Sequence, residues 1–175
     1  MKISDVADLV IRCGQYVVHA AYAGAGAGTT QRDTIADMAT WFAYEYCTDI
    51  SATREFYGGQ VGLTLIWDEA EDIAFQHDCV QLSFRRADSL TRPQSWAFQP
   101  GWSHGQLSGA PKTEHVRSIS IALAPAAFRS AVAKLKSAGV ETLRPEPFWV
   151  GYWSFVVRDP DGQTVELTDP ESPQH

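Results

Sequence analysis

The chain has 175 residues, of which 45% are hydrophobic and 20% charged, a composition typical of one globular domain. Its formal net charge of -7 disfavours nucleic acid as a partner, because phosphate binding needs clustered lysine and arginine. Asp5, Asp8 and Arg12 interrupt the place where a signal peptide has its apolar core, and the apolar run 17–27 is too short to span a bilayer. The sequence therefore predicts a cytoplasmic protein without a membrane partner.

Residues 1–39 are predicted to form a helical extension in front of the main domain. Apolar side chains recur there at helical spacing, which predicts one amphipathic helix from Asp5 to Tyr22. A glycine-rich run ends this helix, and residues 30–38 predict a second, shorter one. The apolar stripe needs a surface to cover, so the extension is either a packing appendage of the domain or a lid or dimer arm. The stripe consists of Val6, Leu9, Val10, Cys13 and Val17.

Residues 40–172 are predicted to form one α+β domain made of two similar modules. Short aromatic and β-branched runs predict strands, and two amphipathic runs that end at glycines predict helices. Such an internal repeat indicates paired β-α-β-β-β modules that form one curved mixed sheet around a cavity. The first module, residues 40–87, has a strand at 40–48, a helix at 50–62 and strands at 63–69, 72–77 and 79–87. The second, residues 113–172, has a strand at 116–123, a helix at 125–139 and strands at 140–146, 153–160 and 164–170.

Two stretches of this domain resemble the signatures of a known superfamily. DISATREFYGGQVGL, residues 49–63, has an Asp after the first strand and a Phe-Tyr pair late on the helix. FVVRDPDGQTVELTD, residues 155–169, has the form of a closing hairpin whose Asp-Pro-Asp-Gly is turn chemistry. Together they resemble the vicinal oxygen chelate superfamily of glyoxalases, bleomycin resistance proteins and extradiol dioxygenases. The likeness covers about residues 40–170 and indicates the fold more strongly than the reaction.

The resemblance also marks four positions where metal-dependent relatives carry a ligand. In this sequence they are Phe42, Gln81, Ser118 and Glu166. Phe42 has no donor atom and Ser118 is a poor ligand, so two oxygens remain where a catalytic zinc site usually has three protein ligands. The expectation is therefore a protein without metal and without cofactor. A β-bulge that turned His115 into the cavity would keep a metal-dependent enzyme open.

Aromatic side chains dominate the strand that carries the first of these positions. Phe42, Tyr44 and Tyr46 alternate along one face, and Glu45 falls on the helix side, where it needs either a local bulge or a salt bridge. Aromatic walls favour flat, apolar ligands. The expected ligand-binding residues are Phe42, Tyr44, Tyr46, Gln81, Trp96, Trp102, Ser118 and Trp153.

The predicted function is metal-free binding of an aromatic or apolar small molecule by a homodimer, for sequestration or in natural-product chemistry. The resemblance implies such a role because bleomycin resistance proteins bind an aromatic antibiotic without a metal. One alternative is a metal-dependent lyase, isomerase or dioxygenase of the same superfamily. Another is a metal-free enzyme with Glu166 as general base, which would need a raised pKa. The aromatic residues could also fill a core or a dimer seam.

Overall fold

The computed structural model describes residues 7–13, 16–22, 41–94, 96 and 118–174. Ten strands and two helices lie in these ranges, and a π-helical segment, Glu55–Val61, continues the first helix. The strands are β1 (Ala7–Cys13), β2 (Tyr16–Tyr22), β3 (Trp41–Cys47), β4 (Thr64–Asp68), β5 (Asp72–His77), β6 (Val80–Arg86), β7 (Ser118–Ala122), β8 (Phe148–Trp149), β9 (Trp153–Arg158) and β10 (Thr164–Asp169). The helices are α1 (Ile50–Arg54) and α2 (Pro125–Ser137).

The two modules have the same topology. In the first, the sheet order is β3-β6-β5-β4, and in the second it is β7-β10-β9-β8. Within each sheet the first pair of strands is parallel and the other pairs are antiparallel. This arrangement confirms the duplicated α+β fold. The eight strands, however, belong to two four-stranded sheets and not to one continuous sheet.

Both helices pack on one side of these sheets and form a single core with them. Asp49 caps α1, because its Oδ1 accepts a hydrogen bond from the Ala52 N–H at 3.0 Å. Gly62, at φ 91°, ends the π-helical segment in a left-handed conformation that favours glycine. The core includes Phe56, Tyr57, Phe75, Phe84, Phe128, Leu135, Phe155 and Leu167.

The closing hairpin connects the two modules as well as turning the chain. Thr48, at the end of β3, donates hydrogen bonds from its N–H at 3.1 Å and from Oγ1 at 2.6 Å to Asp161 Oδ1. The buried Tyr57 hydroxyl donates to Asp159 Oδ2 at 3.1 Å. Residues of both signature stretches therefore contact each other, and the Asp-Pro-Asp-Gly run does more than build a turn. We call these contacts of Thr48 and Tyr57 with Asp159 and Asp161 the intermodule latch.

Burial dominates the electrostatics of the latch. It raises the pKa of the Asp159 carboxyl to about 6, although hydrogen bonds from the Gln163 N–H and the Tyr57 hydroxyl act in the opposite direction. Burial and the neighbouring Asp159 raise the pKa of the Tyr57 hydroxyl well above its usual range. Tyr57 is therefore a neutral donor in the folded protein.

The predicted helix from Asp5 to Tyr22 is wrong. Residues 7–22 instead contain β1 and β2, which pair antiparallel with Cys13 opposite Tyr16 and Ile11 opposite Val18. Valine and isoleucine are frequent in this segment and favour strands, and only two residues separate the runs, a spacing typical of a β-hairpin. The predicted helix at 30–38 lies outside the described residues. A lid or dimer-arm role for the extension stays a prediction.

The strand predicted at 140–146 is also wrong. Its one ladder contact is an isolated bridge between Thr142 and Val157, and the edge strand β8 follows later, at Phe148–Trp149. Pro145 and Pro147 lack the N–H that a strand donates to its neighbour. Alternation of apolar residues in this segment therefore could not produce a regular ladder.

Candidate functional site

Among the residues that the structure describes, a group of exposed aromatic side chains lies on the first module. Phe42, Tyr44 and Tyr46 occupy one face of β3, with 53%, 73% and 57% of their surfaces exposed. Trp67 on β4 is 52% exposed. It pairs with Ala74, which pairs with Ser83, which in turn pairs with Tyr44, so all four rings lie on the same face of the sheet. We call this surface the aromatic face.

Polar side chains lie between the two aromatic edges of this face. Gln81 pairs with Phe42 and Ser83 with Tyr44 across the β3–β6 ladder. Gln81 is half-buried, and its Nε2 donates to Ser83 Oγ at 3.0 Å. A recess of about 410 Å³ opens here and is lined by Tyr44, Tyr46, Trp67, Gln81, Ser83 and Arg85, among others. Its volume lies in the range of small-molecule sites.

Trp67 was not among the predicted site residues, and a local irregularity accounts for its orientation. The β4–β5 register shifts between Leu65 and Trp67, which inserts an extra residue into β4. The indole Nε1 then donates to Asp72 Oδ1. Sequence alternation does not reveal such a bulge. By contrast, Ser83 and Arg85 follow Gln81 at the period of a strand and could have been found from the sequence.

Glu166 lies on the corresponding face of the second module but is buried. Only 7% of its surface is exposed, and its Oε1 accepts a hydrogen bond from Ser154 Oγ at 2.8 Å. Across the β7–β10 ladder Glu166 pairs with Ser120, whereas Ser118 pairs with Thr164. Ser120 is therefore the neighbour of Glu166, as Phe42 is the neighbour of Gln81. Neither Ser118 nor Glu166 lines the recess on the aromatic face.

These residues do not fit the metal site of metal-dependent relatives. Phe42 offers only carbon atoms, and Ser118 and Ser120 offer hydroxyl groups, which are poor ligands for divalent transition metals. Among residues 41–94, 96 and 118–174, moreover, no group of three or more His, Cys, Asp or Glu side chains is arranged to hold a metal ion.

The predicted tryptophans have local partners in the second half of the chain. The guanidinium of Arg158 lies over the Trp96 ring, 4.3 Å from its centroid. Trp153 donates from Nε1 to the Pro173 carbonyl at 3.1 Å and packs edge-to-face on Trp149. Neither ring lines the recess on the aromatic face. Trp102 lies outside the described residues.

The register of β3 excludes a local bulge, one of the two alternatives for Glu45. The β3–β6 pairing runs without a shift from Trp41 to Cys47, so β3 contains no bulge. Glu45 accordingly lies on the face opposite the aromatic rings, where it is half-buried. There it borders a small cavity near Asp159 and Thr164.

A second, larger cavity lies on the opposite face of the first sheet, and sequence reasoning missed it. It measures about 710 Å³ and lies between the modules, with walls from β3, β5 and β6 on one side and β7 on the other. His77 connects the two sides, because its Nε2 lies 2.6 Å from the Ala122 carbonyl oxygen. Such a cavity depends on how the modules pack, which no local pattern encodes.

Comparison with known proteins identifies the family to which the chain belongs. Residues 43–167 match the family model described as the glyoxalase/bleomycin resistance protein/dioxygenase superfamily. The chain belongs to this superfamily. A search of curated proteins found no match.

Solved structures show the same fold at low sequence identity. A glyoxalase/dioxygenase from Nostoc punctiforme is 17% identical with a TM-score of 0.57, and the alignment covers 86% of this chain and 100% of that one. A glyoxalase/bleomycin resistance protein/dioxygenase from Alicyclobacillus acidocaldarius is 15% identical with a TM-score of 0.52, over 75% of this chain and 91% of that one. The fosfomycin resistance protein FosX from Mesorhizobium loti is 11% identical with a TM-score of 0.51, over 74% and 89%. These likenesses establish the fold and leave the ligand open.

Among the described residues, no helix is long and apolar enough to cross a membrane.

Proposed function

We propose that this chain is a metal-independent member of the superfamily that binds an aromatic or apolar small molecule on the aromatic face. The observation that carries the proposal is a recess lined by the exposed rings of Tyr44, Tyr46 and Trp67, beside which Phe42 lies exposed on the same face of β3. Large rings are costly to leave in water, and contiguous exposed apolar patches mark interaction sites. A planar ligand would lie across the face of the sheet, in contact with the β3 rings at one edge and with Trp67 at the other.

The polar groups of the recess would orient such a ligand. Gln81 offers an amide, Ser83 a hydroxyl and Arg85 a guanidinium. Asp72 adds a carboxylate, which accepts from the Trp67 indole. Sites for small molecules commonly combine apolar walls with a few polar groups of this kind. A flat ring system with one or two hydrogen-bonding substituents is therefore the proposed ligand class. Roles for Trp96, Trp102, Trp153 and Ser118 in ligand binding stay predictions.

Titration of tryptophan fluorescence with planar compounds tests this proposal. Saturable quenching is expected because Trp67 borders the recess. Tyr44→Leu keeps an apolar side chain but removes the ring, and should raise the Kd roughly 2- to 10-fold, the equivalent of one aromatic contact. Tyr44→Phe retains the ring and is the matched control, with a Kd close to that of the wild type. Equal Kd values for all three proteins would contradict the proposal.

A second copy of the chain is the main competitor for this surface, since a homodimer is also expected. Sedimentation of the same variants separates the two occupants. If the face binds a ligand, Tyr44→Leu changes the Kd and leaves the molecular mass in solution unchanged. A shift of Tyr44→Leu toward the 19.3 kDa monomer, without saturable quenching in the wild type, would assign the face to a dimer interface.

We further expect the purified protein to contain far less than one equivalent of transition metal per chain. The reason is the chemistry of Phe42 and Ser118 or Ser120 at two of the four ligand positions. Elemental analysis after purification without chelators measures this directly. About one equivalent of zinc, nickel, manganese or iron would favour the metal-dependent alternative, which chelator-sensitive turnover would then establish.

Glu166 as a general base is the other alternative. A base must reach the proton it removes, and the Glu166 carboxylate is buried against Ser154. Slow conversion of a bound compound that Glu166→Gln abolishes, with binding intact, would favour this alternative over simple binding.

A further inference from the structure

We infer that the cavity between the modules is a second binding site, which takes a neutral, mainly hydrocarbon molecule bearing a hydroxyl group. It lies on the helix side of the first sheet, opposite the aromatic face, and the inference is independent of the function proposed above. Its volume of about 710 Å³ is suited to a drug-sized molecule.

The residues of the first module that line the cavity are exposed at its outer end and buried further inside. Trp41, Val80 and His77 form a row across β3, β6 and β5, and they line the outer part of the cavity. Trp41 is 47% exposed and Val80 38% exposed. The next row inward consists of Ala43, Leu82 and Phe75, of which Leu82 and Phe75 are buried.

The opposite wall is apolar at Ile119 and Ile121 of β7, and Ser120, Tyr152 and Thr168 add hydroxyl groups to it. Leu63, after the π-helical segment, adds hydrocarbon to the wall of the first module. A molecule that enters past Trp41 and Val80 would thus exchange water for hydrocarbon on both sides, which is the main source of affinity in such sites. The gradation from an open rim to a buried floor distinguishes this cavity from a flat apolar patch.

The few polar groups determine which substituent the ligand carries. The His77 Nε2 lies against a carbonyl oxygen, which can only accept, so Nε2 carries the proton and donates. In neutral His77, Nδ1 is then an acceptor, and it suits a ligand hydroxyl. An anionic head group is disfavoured, because Asp78 also lines the cavity and the chain has a net charge of -7.

Calorimetric titration of the full chain with 1-decanol and with decanoate tests the inference. We expect one saturable site per chain for decanol and weaker binding for decanoate. His77→Phe keeps a ring but removes the acceptor, and should raise the decanol Kd roughly 2- to 10-fold, the worth of one hydrogen bond. Asp88→Ala, at an exposed residue that lines neither the cavity nor the recess on the aromatic face, is the control and should leave decanol binding unchanged. Because His77→Phe is measured with decanol and Tyr44→Leu with planar compounds, the two proposed sites succeed or fail separately.

Ala43→Leu distinguishes an open cavity from one that the chain itself fills. Three added carbon atoms would occupy free space in the floor, so the Tm should not fall and the decanol Kd should rise roughly tenfold or more. A lowered Tm with unchanged decanol binding would show that the space is already packed and would overturn the inference. Absence of any decanol binding to the wild type would overturn it equally.

Discussion

Asp161→Ala is expected to lower the free energy of unfolding by about 3 kcal/mol, because the side chain accepts the hydrogen bonds that hold β3 to the closing hairpin. Asp161 is 8% exposed and takes both the Thr48 N–H and the Thr48 hydroxyl. Without the carboxylate, both donors lose their partner, and the two modules lose part of the latch. Urea unfolding followed by circular dichroism measures the change.

Two further variants show whether the loss belongs to the latch. Thr48→Val removes only the hydroxyl and should cost about 1 kcal/mol. Asp88→Ala removes an exposed carboxylate in the segment that follows β6 and should stay within about 0.5 kcal/mol of the wild type. The double variant Thr48→Val/Asp161→Ala should lose less unfolding free energy than the two single variants lose together, because both substitutions remove the same hydrogen bond. Equal stability of Asp161→Ala and Asp88→Ala would contradict a role of the hairpin in joining the modules.

The module architecture could be predicted from the sequence because its signals are local and occur twice. Alternation identified the strands around Gln81 and Glu166, and glycines after each helix marked where the helices end. The same logic failed in residues 7–22, where apolar residues fit a helical period by coincidence and β-branched side chains favoured strands. It also failed at 140–146, because proline has no backbone N–H to donate to a neighbouring strand, and the alternation of apolar residues does not reveal this loss.

Only the part of the candidate site that lies on a single strand could be predicted from the sequence. Alternation along β3 places Phe42, Tyr44 and Tyr46 on a common face, and the structure shows those rings exposed together. Trp67 joins them through a bulge in a different strand. The cavity beside His77 arises from the approach of β7 to the first module. Contacts between residues of different strands or modules depend on tertiary packing, for which a single sequence carries no periodic signal.

The latch also makes an unusual contribution to the pH dependence of stability. Burial raises the pKa of Asp159 from 3.8 to about 6, so the folded protein binds a proton more tightly than the unfolded chain does. The stabilisation from this proton is complete below about pH 4 and is lost as the pH rises through about 6. The change over that window is about 3 kcal/mol, at 1.36 kcal/mol per pKa unit.

Asp159→Asn should therefore become more stable relative to the wild type as the pH rises. The two proteins should be similar near pH 4, where Asp159 is neutral, and the variant should be ahead by about 3 kcal/mol at pH 7. Asparagine fits the site, because its Oδ1 can still accept the Asp161 and Gln163 N–H groups that Asp159 Oδ1 accepts at 3.0 and 2.8 Å. Urea unfolding at both pH values gives the difference, in which the other titrating groups cancel.

Asp169→Asn provides a control with the opposite sign. Burial alone would raise the pKa of Asp169, but hydrogen bonds from Ser172 and from the Glu171 N–H outweigh it and lower the pKa. The stabilisation from this carboxylate is present above the unfolded pKa of 3.8 and is lost as the pH falls below it. Relative to the wild type, Asp169→Asn should therefore become less stable as the pH rises towards about 4, and the difference should change little between pH 4 and pH 7. If the stability of Asp159→Asn relative to the wild type did not rise between pH 4 and pH 7, Asp159 would have to be solvated in the folded protein, and the hairpin would not be buried against Tyr57.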